Sequence, residues 1–171
     1  MSNTFPSSRF LSVFRTVIGI EGGYVNDPTD PGGETKYGIS KRSYPNLNIA
    51  NLTVEDAQGI YWTDFWLKLG CDKLNIGLDE FVFDFGVNSG VDHVARKLQA
   101  ACGALPDGVV GPNTIAAVKR TGDSTVFRLL FVERAITYAS APPVQFQKYC
   151  HGWFARLHDT TKEFFHLEQV Q

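Results

Sequence analysis

The segment from Leu78 to Val87 is apolar on nearly every side when it is drawn as a helix. A helix of this kind has no face to present to water, so other elements must pack around it. Helical spacing or helix-start signals follow at about 91–102, 112–119, 123–139 and 144–157. The sequence therefore predicts a mainly α-helical fold, a bundle of helices around a central buried helix.

Two helices are predicted ahead of this segment. Residues 9–20 place apolar side chains at helical spacing, and the run Glu21-Gly22-Gly23 is predicted to end that helix. The run Thr53–Asp56 resembles a capping box and predicts a helix start. Farther on, Pro112 suits the first turn of a helix, and Asp123 is predicted to cap the next one.

Between these two helices lies a segment that cannot be helical. Asn26–Gly33 is dense in residues that form turns, and a short strand is predicted around residues 36–39. We expect a loop or small hairpin at about 22–40. A connection this long within a compact domain is more often functional than not.

The length of 171 residues fits one domain, and the formal net charge of -2 argues against nucleic-acid binding through bulk charge. Cys71, Cys102 and Cys150 are too widely spaced for a disulfide framework or a metal motif, which favours buried free thiols in a reducing compartment. A single disulfide bridge is not excluded by the sequence.

Arg15 interrupts the apolar stretch from Phe10 to Ile20. We therefore expect neither a signal peptide nor a membrane anchor, and we expect the protein to be cytoplasmic.

No metal or cofactor is expected. The four histidines lack metalloprotease spacing, and nucleotide-binding glycine motifs are absent from the sequence. Asp27, Asp30 and Glu34 lack the EF-hand pattern that would make them a calcium loop.

Three residues carry the chemistry that we predict. Glu21 follows an apolar helix, where partial burial and the negative helix end would both raise the pKa of its carboxyl group. Asp30 lies in the turn-rich segment, where solvent keeps it ionised, and Thr35 adds a hydroxyl that could hold water. A protonatable Glu opposite an ionised Asp is the equipment for cleaving a glycosidic bond.

A simpler interpretation uses the same residues. Glu21 would be an exposed residue at a helix end, and Asp27 and Asp30 would be ordinary turn formers. Composition and spacing alone favour this interpretation.

The motifs themselves favour the catalytic interpretation, because they resemble the N-terminal signature of glycoside hydrolase family 108, whose members are N-acetylmuramidases that cut peptidoglycan. The resemblance rests on these runs: Glu21–Pro28, Asp30–Gly33, Thr35–Ile39, Tyr61–Trp66 and Phe83–Gly90. A further run, Asp107–Thr114, resembles the peptidoglycan domain found at the C-terminus of this family. The resemblance covers about residues 10–160.

This resemblance implies a lysozyme-like α+β fold in a single domain spanning 1–171. Its catalytic part would cover about 9–90 and its peptidoglycan-domain-like part about 91–165. Glu21 would be the catalytic acid, with Asp30 and Thr35 holding the attacking water.

Two further residues are candidates for substrate binding. Tyr37 either contacts a sugar ring or packs the short strand. Asn88 either binds an N-acetyl group, which the resemblance favours, or caps its helix. Trp62, Trp66 and Trp153 are expected in the core.

The expected activity is hydrolysis of the β-1,4 bond between N-acetylmuramic acid and N-acetylglucosamine. The expected setting is a monomeric phage or prophage endolysin without stable membrane association, which stays in the host cytoplasm until a holin lets it reach the periplasm. A protein-secretion system is an alternative setting. A lytic transglycosylase and a non-catalytic peptidoglycan-binding module are the alternative functions.

Overall fold

The structure is a computed structural model that describes residues 7–19, 23–26 and 33–168. The described residues form seven α-helices and one three-stranded antiparallel sheet of order β1-β2-β3. The elements are α1 Ser8–Val17, β1 Val25–Asn26, β2 Glu34–Lys36, β3 Ile39–Ser40, α2 Val54–Tyr61, α3 Leu78–Ser89, α4 Val91–Ala101, α5 Pro112–Thr121, α6 Asp123–Ala139 and α7 Pro143–Glu168. A π-helical turn, Trp62–Trp66, follows α2, and a 3₁₀ turn spans Cys71–Lys73. The prediction of a mainly helical fold with a small excursion early in the chain is confirmed.

The chain divides into two compact units, Met1–Asp64 and Phe65–Gln171. This division does not test the predicted boundary near residue 90, which stays a prediction. None of the helices in the described ranges is long and apolar enough to cross a membrane.

In the first unit, α1 packs on α2 through aromatic side chains. The ring centroids of Phe10 and Trp62 lie 5.1 Å apart, and those of Phe14 and Tyr61 lie 5.7 Å apart, both pairs meeting edge to face. Such pairs add about 0.5–1.5 kcal/mol beyond the burial of their area. The predicted capping box at Thr53 is confirmed and fixes the start of α2.

The predicted extent of α1 is wrong at its C-terminal end. The helix ends at Val17, and Gly19 follows with φ at 78° while its N–H donates to the Arg15 carbonyl at 3.2 Å. Glycine takes this left-handed conformation at little cost, so Gly19 ends the helix before the glycine pair that the sequence suggested.

In the second unit, α3 contacts α4, α6 and α7. Its residues from Leu78 to Gly86 are all buried, which confirms the predicted central helix. Two details differ from prediction. Gly122 rather than Asp123 is the N-cap residue of α6, and the Asp123 carboxylate instead accepts a hydrogen bond from Asn75 Nδ2 at 2.6 Å.

Helix α7 is the second difference, since it runs to Glu168 and not to about 157. The rings of Phe127 on α6 and Phe164 on α7 stack with their centroids 3.9 Å apart. Phe164 is 6% exposed, so burial against α6 holds a stretch whose polar sequence gave little helical signal.

A buried ionic cluster joins α3, α6 and α7. Arg134, which is 0% exposed, forms an ion pair with Asp84, and Arg156 Nε donates to the same carboxylate at 2.8 Å. Arg134 also donates to Tyr138 Oη at 2.8 Å, and its guanidinium lies 5.4 Å from the ring centroid of Phe81. The cluster neutralises a charge that would otherwise be very costly in the core.

Replacing Asp84 with Asn should therefore destabilise the fold by about 3 kcal/mol or more, because Arg134 would keep its charge without a counter-charge. Chemical denaturation of the purified protein measures this loss. Asp92→Asn is the matched control, since it breaks the exposed pair between Asp92 and Arg96. Equal losses in the two variants would contradict the role assigned to the cluster.

Candidate active site

The two predicted catalytic carboxylates, Glu21 and Asp30, lie outside the described residues, as does Asp27. Their roles stay predictions. The helix-dipole argument for Glu21 assumed an uninterrupted helix up to residue 20, and that premise is wrong because α1 ends at Val17.

Thr35 lies in the central strand of the sheet. It pairs with Val25 of β1 and Ser40 of β3, so these three side chains share one face. The neighbouring Ile39 points to the other face and is 2% exposed, whereas Val25 is 54% exposed. Thr35 therefore lies on the open face of the sheet.

Among the residues that the structure describes, the hydroxyl group of Thr35 makes one long hydrogen bond, donating to the Gly33 carbonyl at 3.4 Å. A hydroxyl that donates its hydrogen keeps two acceptor lone pairs. Thr35 can therefore accept a hydrogen bond from a water molecule on the open face of the sheet.

Tyr37 and Gly38 form the two-residue turn between β2 and β3. Both have positive φ, 51° for Tyr37 and 75° for Gly38, as a type I′ turn requires. Tyr37 is half-buried, and the Lys36 ammonium lies 5.6 Å from its ring centroid. The structure thus brings Thr35 and Tyr37 together, two residues apart on one hairpin.

Tyr61 at the end of α2 supports this turn. Its hydroxyl donates to the Tyr37 carbonyl at 3.1 Å, and a Cβ added at Gly38 would lie 2.7 Å from the Tyr61 oxygen. The sequence analysis placed Tyr61 on a helix and in a motif but gave it no role. The single short strand predicted around residues 36–39 is wrong, because the chain turns there between β2 and β3.

Two lysines hold the chain that follows the hairpin. Lys36 Nζ donates to the Ala50 carbonyl at 3.1 Å, and Lys41 Nζ donates to the Leu47 carbonyl at 2.6 Å. Both ammonium groups thus satisfy backbone carbonyls of the segment between β3 and α2.

A second tyrosine of this unit, Tyr44, donates its hydroxyl to Asp64 Oδ2 at 3.0 Å. Burial, followed by this hydrogen bond, raises the pKa of Tyr44 well above its ordinary value. Tyr44 therefore stays a neutral donor throughout the physiological range.

Asn88 lies in the other unit, in the last turn of α3, and is exposed. Its Nδ2 donates to the Asp84 carbonyl at 2.8 Å, within the same helix. The amide oxygen is thereby oriented away from that carbonyl. Binding of an N-acetyl group by Asn88 stays a prediction.

The run Asp107–Thr114 forms a loop up to Gly111 and the first residues of α5, and the loop is built around the buried side chain of Gln99. Gln99 Nε2 donates to Asp107 Oδ1 at 2.6 Å, and Gln99 Oε1 accepts from the Gly108 N–H at 2.9 Å. The hydrogen bond from the Val109 N–H, followed by that from Gln99, lowers the pKa of Asp107. The residues that carried the resemblance here thus have structural roles, and glycan binding by this part stays a prediction.

The tryptophans and cysteines agree in part with expectation. Trp62 and Trp66 are buried, whereas Trp153 is partly exposed and stacks on Tyr138 with 5.4 Å between ring centroids.

The three cysteines are free, and Cys150 is only half-buried. Within residues 7–19, 23–26 and 33–168, no cluster of three or more His, Cys, Asp and Glu side chains could hold a metal ion.

Gly108 is the residue on which the loop geometry depends most. Its φ is 85°, and an added Cβ would lie 2.4 Å from Asp92 Oδ1, so Gly108→Ala should destabilise the fold by about 1–3 kcal/mol. Gly111→Ala is the matched control in the same loop, because an added Cβ there has open space. Thermal unfolding of both variants tests this, and an unchanged melting temperature for Gly108→Ala would contradict it.

Comparison with known proteins agrees with this architecture. Residues 14–90 match the family model described as glycosyl hydrolase 108. Among solved structures, the chain is similar to SagA of Brucella abortus, with 29% sequence identity, a TM-score of 0.77, and coverage of 89% of this chain and 91% of that chain. No curated protein matches the chain.

Proposed function

We propose that this chain is a peptidoglycan hydrolase of the N-acetylmuramidase type, because residues 14–90 match the model of the glycosyl hydrolase 108 family. Its substrate would be the β-1,4 bond between N-acetylmuramic acid and N-acetylglucosamine. The observation that carries the proposal is the extent of the family match, which includes Glu21, Asp30, Thr35, Tyr37 and Asn88.

Hydrolysis needs an acid for the leaving oxygen and a group that directs water to the anomeric carbon. Glu21 would donate the proton to the glycosidic oxygen. Asp30, in its ionised form, would stabilise the positive charge that develops on the sugar or orient water together with Thr35. The position of Thr35 on the open face of the sheet supports this role, because water can reach its oxygen there.

Two other functions compete with this proposal. A lytic transglycosylase needs the acid but directs no water, so a catalytic role of the Thr35 hydroxyl would favour the hydrolase. A non-catalytic peptidoglycan-binding module would need only a glycan surface, and the family match to a glycosyl hydrolase argues against it. The part at about 91–165 would complete the fold or add glycan contacts.

Replacing Glu21 with Gln should abolish turbidity loss of purified cell walls while leaving the melting temperature nearly unchanged. An amide keeps the shape of the side chain but cannot deliver a proton, and general acid catalysis is worth about 10²–10⁴ in rate. Substantial residual activity would contradict the role of Glu21.

The same assay separates the two other acidic residues of this region. Asp30→Asn should lose more activity than Asp27→Asn, because Asp30 occupies the matched motif position and Asp27 precedes Pro28 as a turn residue. A larger loss at position 27 would reverse the assignment.

Thr35→Val should lower kcat about five- to tenfold, since one hydrogen bond is worth about 1 kcal/mol. Valine is β-branched and suits the strand, so folding should be preserved. Thr35→Ser, which keeps the hydroxyl, should remain close to wild type in steady-state assays of soluble glycan fragments. Equal kcat values for the Val and Ser variants would exclude a role for the hydroxyl.

The setting we propose is that of a monomeric phage or prophage endolysin, held in the bacterial cytoplasm until a holin opens the inner membrane. A muramidase that serves a protein-secretion system is the alternative. The burial of Phe10, Val13 and Phe14 supports this setting, because α1 belongs to the core of the folded protein, which a cleaved signal peptide would not. Arg15 in the same helix would also cost about 2.5–3.5 kcal/mol in a bilayer.

Expression in Gram-negative cells should therefore be tolerated, and chloroform or a co-expressed holin should bring rapid lysis. The change in culture turbidity measures this difference. Lysis on expression alone, blocked by inhibiting the general secretion pathway, would contradict the proposed location.

A further inference from the structure

Tyr37 occupies a backbone position that its side chain disfavours. In a type I′ turn both central residues have positive φ, which favours Asn, Asp or Gly. A bulky residue there is a conformational outlier, and Tyr37 has φ at 51°. Strain of this kind persists only where the surrounding structure enforces it, and it concentrates at functional sites.

Tyr61 is the side chain that holds Tyr37 in this conformation. Its hydroxyl group bonds the carbonyl of Tyr37 itself, and its oxygen fills the space that a Cβ at Gly38 would need. Tyr61 is 3% exposed, and the ring of Phe14 fixes it from the side of α1. The hydrogen bond from the Tyr61 hydroxyl to the Tyr37 carbonyl therefore ties the turn to a buried side chain of α2.

We propose that Tyr61 is a positioning residue that holds Tyr37 in its strained conformation so that the Tyr37 ring can contact the glycan. This inference rests on the proposed function, because it requires a glycan substrate. The ring of Tyr37 supplies the sugar contact, and Tyr61 acts only through Tyr37. Asparagine would fit the turn with less strain. A tyrosine at position 37 is therefore explained by the contact that its ring makes with the glycan.

Tyr37→Asn separates binding from stability. Asparagine tolerates the left-handed conformation and keeps the carbonyl that Tyr61 bonds, so the melting temperature should rise by a few degrees. The loss of the ring should raise KM for soluble peptidoglycan glycan fragments about fivefold or more, because aromatic contacts are worth about 1 kcal/mol. A residue that only packed the hairpin would not show improved stability together with weakened binding.

Tyr61→Phe removes only the hydroxyl group and keeps the ring against Phe14. It should raise KM about threefold or more while kcat stays within about twofold, as expected for one lost hydrogen bond. Tyr44→Phe is the matched control, since it removes another tyrosine hydroxyl of the same unit that donates to Asp64 and not to the turn. We expect a stability loss in both Phe variants and a change of KM only in Tyr61→Phe.

The double variant Tyr61→Phe/Tyr37→Asn tests whether Tyr61 acts through Tyr37. If it does, KM of the double variant should equal that of Tyr37→Asn alone, because residues that share one function do not give additive effects. Additive increases in KM, equal KM values for Tyr61→Phe and Tyr44→Phe, or an unchanged KM in Tyr37→Asn would each overturn the proposal. If Tyr61→Phe did not fold, Tyr37→Asn would still test the glycan contact of the ring, and an unchanged KM there would overturn the proposal.

The wild-type protein in the same assay distinguishes this inference from the proposed function. If the wild type cleaves peptidoglycan and the Tyr61 and Tyr37 variants bind it normally, only the positioning role fails. If the wild type neither cleaves nor binds peptidoglycan, the proposed function fails and this inference fails with it.

Discussion

The ion pair between Arg134 and Asp84 is the interaction on which the larger unit depends. Both side chains are almost completely buried, so neither charge can be solvated if its partner is lost. The carboxylate belongs to α3 and the guanidinium to α6, and Arg156 brings α7 to the same carboxylate. Aromatic rings enclose the guanidinium on several sides, which limits the arrangements in which these helices can pack. Loss of either partner would leave the other charge buried and uncompensated, which is strongly destabilising.

The smaller unit is organised on a different principle. Its sheet is short, with two or three residues in each strand, and a sheet of this size is not stable alone. Support comes from the end of α2, where Tyr61 bonds the β2–β3 turn, and from α1, where Phe14 packs on Tyr61. The hydroxyl group of Thr35 and the aromatic ring of Tyr37 are thereby presented by a hairpin whose geometry is set by its neighbours. This is the arrangement expected of a site that needs precise placement on a small scaffold.

Much of the helical fold could be predicted, because burial leaves a clear pattern in the sequence. The largely apolar run that forms α3 and the capping box at Thr53 were both identified correctly. The end of α1 was misplaced, since a single glycine at position 19 gave a weaker signal than the pair that follows. Helix α7 was predicted too short because its last turns are held by stacking on Phe127, a tertiary contact that local sequence does not reveal. The supporting role of Tyr61 was missed for the same reason.

Analysis of the soluble products released from purified peptidoglycan tests the central claim most directly. A muramidase transfers water to the anomeric carbon, so mass spectrometry should find glycan fragments that end in reducing N-acetylmuramic acid. The Glu21→Gln variant should release none of them. Fragments that end in 1,6-anhydro-muramic acid would show a transglycosylase, and binding to the cell wall without any released fragment would show a binding module. Either result would contradict the assignment of this chain as a hydrolase of the glycan strand.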